Sequence, residues 1–126
     1  MDIHEFSNGT GRNKVNLTAY YLGTDLVLGF YNKNGHLGAV ALADYSREEK
    51  RVSTSVLTRL GHKDDILAQE AAHTISKIAR GPVCVMAGVH LDGITEEEIE
   101  LILKNSRGVV QKFIDDVLSK RRGPPL

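Results

Sequence analysis

The chain has 126 residues, 41% of them hydrophobic and 25% charged, with sixteen Lys and Arg set against sixteen Asp and Glu. A chain of that length forms one domain and buries roughly two-thirds of its unfolded surface. Zero formal charge speaks against nucleic-acid binding, which needs a basic excess, and no apolar run approaches the ~20 residues that span a bilayer.

Residues 1–13 are polar and loop-like around Ser7-Asn8-Gly9-Thr10-Gly11, and read as a loose arm. No apolar segment follows Met1 as in a signal peptide, so a cytoplasmic location is expected. From Lys14 the pattern alternates, with Val15, Leu17, Ala19 and Tyr21 on one face, which predicts a half-buried strand. Residues 26–31 form a second strand with Leu26, Leu28 and Phe30 on one side. Asn32-Lys33-Asn34-Gly35 is a hairpin signal, because Asn-Gly accepts positive φ at both turn centres. Residues 37–43 then return as a third strand carrying Gly38, Ala39, Ala41 and Ala43, small enough for close packing. Residues 44–51 are highly charged and read as an exposed loop, and 52–57 as a short fourth strand.

A helix is predicted over 65–80. Leu67, Ala71, Ile75 and Ile78 recur at helical spacing, Asp64 or Asp65 can cap the start, and Gly81-Pro82 stops it. His73 lies off that stripe and reads as solvent-facing. Residues 83–89 are continuously apolar, which suits a central strand buried on both faces. Cys84 within it, the lone cysteine, is expected to be a core thiol in a reducing compartment. Thr95-x-x-Glu98 is a capping box opening the next helix. Asn105-Ser106 offers a break before a last helix with Val109, Val110, Phe113, Ile114, Val117 and Leu118 on its apolar face. Lys120, Arg121 and Arg122 suit its C-terminal dipole, and Gly123-Pro124-Pro125 ends it.

The expected class is α+β: an antiparallel sheet of four to five strands with two to three helices packed on it, in the order β-β-β-(β)-α-β-α-α. The single domain spans 14–121, between the arm and a tail over 122–126.

Two polar clusters bracket the helix–strand unit and hold the candidate site. His62-Lys63-Asp64-Asp65 sits at a helix start, where free N–H groups and the dipole attract anions and His62 and Lys63 add positive charge. A phosphate suits that position, although Asp64 and Asp65 are negative and at least one serves as a cap. His90 closes the apolar strand just before Asp92-Gly93, and His36 follows the Asn34-Gly35 turn. Each histidine taken singly is more often structural than functional.

His36, His62 and His90 have the right chemistry for zinc or iron, but no HxH or HExxH spacing supports a metal site. Cys84 lies in an apolar strand rather than at an electropositive helix end, and GxSxG, GxGxxG and GxxxxGK[ST] are all missing. Nucleophilic, dinucleotide and P-loop chemistry are therefore unsignalled.

The run Gly61-His62-Lys63-Asp64-Asp65, and Ala87-Gly88-Val89-His90-Leu91-Asp92-Gly93-Ile94-Thr95 after it, resemble the LpdD-like prenylated flavin chaperones that accompany UbiD-type decarboxylases. Asn34-Gly35-His36-Leu37-Gly38 resembles the family's histidine–glycine stretch. The resemblance covers most of 14–118 and implies a proteasome-assembly-chaperone-like fold, commonly dimeric. It implies a non-enzymatic protein that binds prenylated flavin mononucleotide (FMN), or FMN, and helps a UbiD-type decarboxylase acquire its cofactor. His36, His62, Lys63 and His90 match the family's polar positions, and Asp64 falls within the same motif. The charged 44–51 loop and the short polar start depart from the pattern.

Tyr20, Tyr21, Phe30, Tyr31 and Tyr45 could form an aromatic wall for a flavin, although strand aromatics more often pack in cores. Two alternatives stand beside this reading: a small metal-dependent or histidine-assisted enzyme using His36, His62 and His90, and a protein-assembly adaptor with no small-molecule ligand.

Overall fold

The computed structural model describes residues 2–60 and 64–121, apart from the side chain of Arg121. Period-two burial builds most of its sheet. β1 (His4–Asn8) is followed by a 3₁₀ turn at Gly11–Asn13 and by β2 (Val15–Leu22), in which Val15, Leu17 and Ala19 are fully buried. β3 (Asp25–Tyr31) turns Leu26, Leu28 and Phe30 to the same side. β4 (Ala39–Ser46) and β5 (Arg51–Thr58) form a hairpin, α1 (Asp65–Ala79) crosses back, and β6 (Val83–Gly88) enters the sheet. α2 (Glu96–Phe113) continues through a π-helical turn at Ile114–Leu118 into Ser119–Arg121.

The strand order is β1-β2-β3-β6-β4-β5. β6 lies parallel to β3 and antiparallel to β4. The α+β class holds, with six strands and a mixed rather than wholly antiparallel sheet. The predicted hairpin at Asn34-Gly35 does not form. β3 and β4 are separated by β6, and Asn32–Gly35 is instead a turn, closed by the Gly35 N–H to the Asn32 carbonyl at 3.1 Å, that starts a crossing over the end of β6.

Residues 4–8, within the stretch expected to be an arm, pair with β2 as an edge strand. Phe6 explains why: its ring meets Phe113 of α2 edge-on, centroids 6.1 Å apart. The charged 44–51 segment is half strand, and only Arg47–Lys50 forms the turn, where Lys50 takes a φ of 55°.

α1 packs over β4, β5 and β6, and α2 over β1 and β2. Leu67, Ala68, Ala71, Ala72 and Ile75 of α1 are buried, and His73 is exposed as expected. The predicted stop is built from Arg80, left-handed at φ 56°, with its N–H on the Ser76 carbonyl, while Ser76 Oγ donates to the Gly81 carbonyl. The Thr95–Glu98 capping box forms as read. The break at Asn105-Ser106 does not. Ser106 Oγ donates to the Ile102 carbonyl one turn back, and Asn105 Nδ2 to the Asn13 carbonyl, so both polar groups are satisfied without ending the helix.

All helices lie on one face of the sheet. On the other, register aligns Tyr20, Val27, Cys84, Leu42 and Ser55 in one row and Thr18, Gly29, Met86, Val40 and Leu57 in the next. β6 is therefore central but buried on one face: Val83, Val85 and Ala87 point to the helices, Cys84 and Met86 to the open side. Cys84 is half-buried there rather than in the core, and its burial still pushes the thiol above its ordinary value of 9.0. Continuous apolarity reads as two-sided burial only when helices cover both faces; here the open face is itself apolar.

Candidate functional site

β3 and β6 run in the same direction and end side by side, Tyr31 against Gly88. Beyond that point the two chains diverge, one crossing to β4 and the other leading to α2. In open α/β sheets such a divergence outside the carboxyl ends of parallel strands is where ligands collect.

The crossing is held down at several points. The Gly38 N–H donates to the Ala87 carbonyl at 2.9 Å, and Arg59 Nη1 donates to the Leu37 carbonyl at 2.7 Å. Gly35 approaches the Gly88 carbonyl so closely that a Cβ at Gly35 would overlap it. Asn32, 6% exposed, extends the ladder past the strand end with its side chain. Its Nδ2 donates to the His90 carbonyl at 2.7 Å, and its Oδ1 accepts the His90 N–H at 3.1 Å. One amide thereby satisfies both backbone groups of His90, as a neighbouring strand would.

These ties bring His36 and His90 together. Their rings lie 5.1 Å apart between centroids, tilted by 32°. His90 Nε2 also lies 2.9 Å from Asp92 Oδ1, and both rings reach the surface. Two histidines 54 positions apart thus form one exposed aromatic pair at the end of the sheet.

Asp64 belongs to the same corner, with a role other than the expected cap. It occupies the N-cap position of α1, but its side chain makes no cap hydrogen bond. Oδ1 instead accepts the Val89 N–H at 3.1 Å, and the carboxylate lies against Gly38. The Val89 amide has just left the sheet and needs an acceptor, and a nearly buried carboxylate supplies it. His62 and Lys63 lie outside the described residues. Among the described residues no group of three or more His, Cys, Asp or Glu side chains is arranged to hold a metal ion.

The aromatic residues divide. Phe30 is core, and Tyr21 packs against the core's edge. Tyr31 is 42% exposed on the open face beside the site, its hydroxyl 3.2 Å from Thr18 Oγ1.

Sequence reasoning passed over the groups on the far side of Asn32. A cleft of about 420 Å³ there is lined by Arg12, Lys14, Asn16, Asn32, Lys33, Asn34 and Leu91, with Gly11. Arg12 forms one wall through Nε to Glu98 Oε2 at 2.6 Å and Nη2 to the Asp92 carbonyl at 2.8 Å. Its guanidinium holds the Glu98 carboxyl below the usual carboxylate range. The only trace of this in the sequence is three cations on two separate segments, a pattern with no motif.

A family model described as prenylated flavin chaperone LpdD-like domain matches residues 9–118. Among solved structures, a chaperone complex for yeast 20S proteasome assembly is similar at a TM-score of 0.60. That match covers 98% of this chain and 100% of the other at 17% identity, and at that identity it speaks for the fold alone. No curated protein matches the sequence significantly. Among the described residues no helix is long and apolar enough to cross a membrane.

Proposed function

Because this chain belongs to the LpdD-like prenylated flavin chaperone domain family, we propose that it is a non-enzymatic carrier of prenylated FMN, or of FMN. In this reading it passes cofactor to a UbiD-type decarboxylase. The observation that carries the reading is the His36–His90 pair at the divergence of β3 and β6. Two tilted imidazoles on an otherwise pinned backbone offer flat surfaces to a flat heteroaromatic ligand, and stacking of that kind favours binding without supplying chemistry. Asp64 fixes the end of β6 from the helix side. His62 and Lys63, which directly precede it in sequence, add positive charge that draws an anionic ligand towards the protein in the same proposal.

The test is a fluorescence titration of the protein with FMN and with prenylated FMN under anaerobic conditions, repeated on His36→Ala/His90→Ala and His62→Ala/Lys63→Ala. Saturable binding to wild type, weakened at least tenfold in the first variant, is the expected result. Binding of neither flavin by the wild-type protein rejects the proposal.

A second reading is favoured by the open sheet face, where Leu42 and Leu57 are 56% and 78% exposed beside Tyr31, Val40 and Met86. Contiguous apolar surface of this sort marks protein contact. In this reading the face docks a protein, in the first instance a second copy of the chain. Sedimentation velocity on wild type and Leu42→Arg/Leu57→Arg tests it: a dimer that the variant dissociates is expected, and a monomer at all concentrations removes the homodimer.

A further inference from the structure

We propose that the cleft between the Gly11–Asn13 turn, the start of β2 and the Asn32–Gly35 turn is an anion site that takes a phosphomonoester. Its identification with the flavin's phosphate rests on the reading above; the site itself does not.

Composition argues first. Arg12, Lys14 and Lys33 line the cleft together with the amides of Asn16 and Asn34, and no carboxylate is among the lining residues. In a chain whose formal charge is zero, this is a local concentration of positive charge, and a concave surface focuses its field on an entering anion. Glu98 stands behind Arg12 and orients it, two of the guanidinium nitrogens facing the carboxylate. The ammonium groups of Lys14 and Lys33 make no hydrogen bond or ion pair among the described residues and are free to close on a ligand.

Position argues second. At about 420 Å³ the cleft is within the range of small-ligand sites. Lys33 and Asn34 lie on the turn that leads to His36, and Leu91 directly follows His90. A molecule with a phosphate at one end and a flat ring at the other would find both partners on the same two segments. The phosphate then sits in this cleft rather than at the start of α1.

The uniformly ¹⁵N-labelled full chain is titrated with inorganic phosphate, riboflavin, FMN and prenylated FMN, following the side-chain amides of Asn16 and Asn34. Each titration is repeated on Lys14→Ala/Lys33→Ala and on Lys14→Gln/Lys33→Gln, with amide dispersion confirming that the variants fold. Loss of a charge-assisted bond weakens binding roughly tenfold per lysine. The expected result is that FMN moves the cleft amides, that both variants weaken it by about a hundredfold on this basis, and that riboflavin is indifferent to them. Three outcomes overturn the site: FMN affinity unchanged in the variants, riboflavin weakened as much as FMN, or no response to phosphate or either mononucleotide. The first leaves the flavin reading standing. A response to inorganic phosphate that the variants abolish, with neither flavin nucleotide binding, upholds the anion site and removes the flavin reading.

Discussion

Asp64 Oδ1 accepts the backbone N–H of Val89 at 3.1 Å, so the first residue before α1 completes the hydrogen bonding of the strand that follows that helix. An amide left unpaired at a partly buried position costs about 1–3 kcal/mol. Asp64→Ala is expected to lose that much stability in urea unfolding, and Asp64→Asn, which keeps an acceptor, to lose less. Equal stability of Asp64→Ala and wild type would show that the bond is not formed.

Gly88→Ala tests the crossing directly. A Cβ at Gly88 would lie 2.7 Å from the carbonyl carbon of His36, which is backbone and cannot rotate away. The strand end or the crossing must shift, at a cost of about 1–3 kcal/mol. Gly29→Ala on the neighbouring strand, where an added Cβ meets nothing within 4 Å, is the control and should be tolerated. If both variants unfold at the same denaturant concentration, the crossing does not lie against β6.

Asn32→Ala removes both bonds to the His90 backbone and should lower stability by about 1–3 kcal/mol. It should also move the His90 ring resonances, since the backbone that carries them loses its only side-chain clamp among the described residues. Asn32→Asp keeps an acceptor for the His90 N–H but places negative charge against the His90 carbonyl. We expect it to be the worse of the two, and thermal melts would rank them.

The Glu98 carboxyl is held below its ordinary value of 4.5 chiefly by the hydrogen bond from Arg12. A folded value below the unfolded one gives stability that is complete above about pH 4.5 and is lost as the pH falls through the lowered folded value. Arg12→Ala should raise the Glu98 value and flatten the acid limb of the stability profile. A carbon-detected titration of the Glu98 carboxyl reads this, and an unmoved midpoint would mean that the pair does not persist in solution.

Phe6→Ala should release the β1 edge. Deleting the ring that meets Phe113 edge-on removes the main apolar contact of β1, so amide exchange at residues 4–8 should accelerate well beyond that of β2. Uniform exchange across both strands would assign the edge to its hydrogen bonds alone.

Local chemistry was legible where the partner lies nearby in sequence. Thr95 and Glu98 are one helical turn apart, and their box forms as read. The helix over 65–79 and the strands around Val15 and Leu28 follow from periodicity, which a single face of burial imposes. Asn34-Gly35 misled because a turn signal describes only the four residues that make it. Whether the flanking strands then pair depends on β6, about fifty residues further on, which takes the place between them. Asp64, offered with Asp65 as a cap, does stand at the N-cap position, but that its carboxylate serves the amide of Val89 instead of its own helix is decided by the tertiary structure. His36 and His90 were named in one candidate set with His62, but their ring contact follows from the crossing and could not be counted from spacing. The cleft of Arg12, Lys14 and Lys33 went unread because its cations come from two segments that are neighbours only once β2 and β3 are paired.

The place of β6 has a consequence for the nascent chain. Translation delivers β1 to β5 before β6, so two hairpins, β2–β3 and β4–β5, emerge with nothing to join them. Until residues 83–88 leave the ribosome, the inner edges of β3 and β4 both carry unpaired backbone groups, and these are the edges on which misassembly between chains begins. The chain therefore passes through a stage in which it needs shelter itself, and one late strand brings that stage to an end.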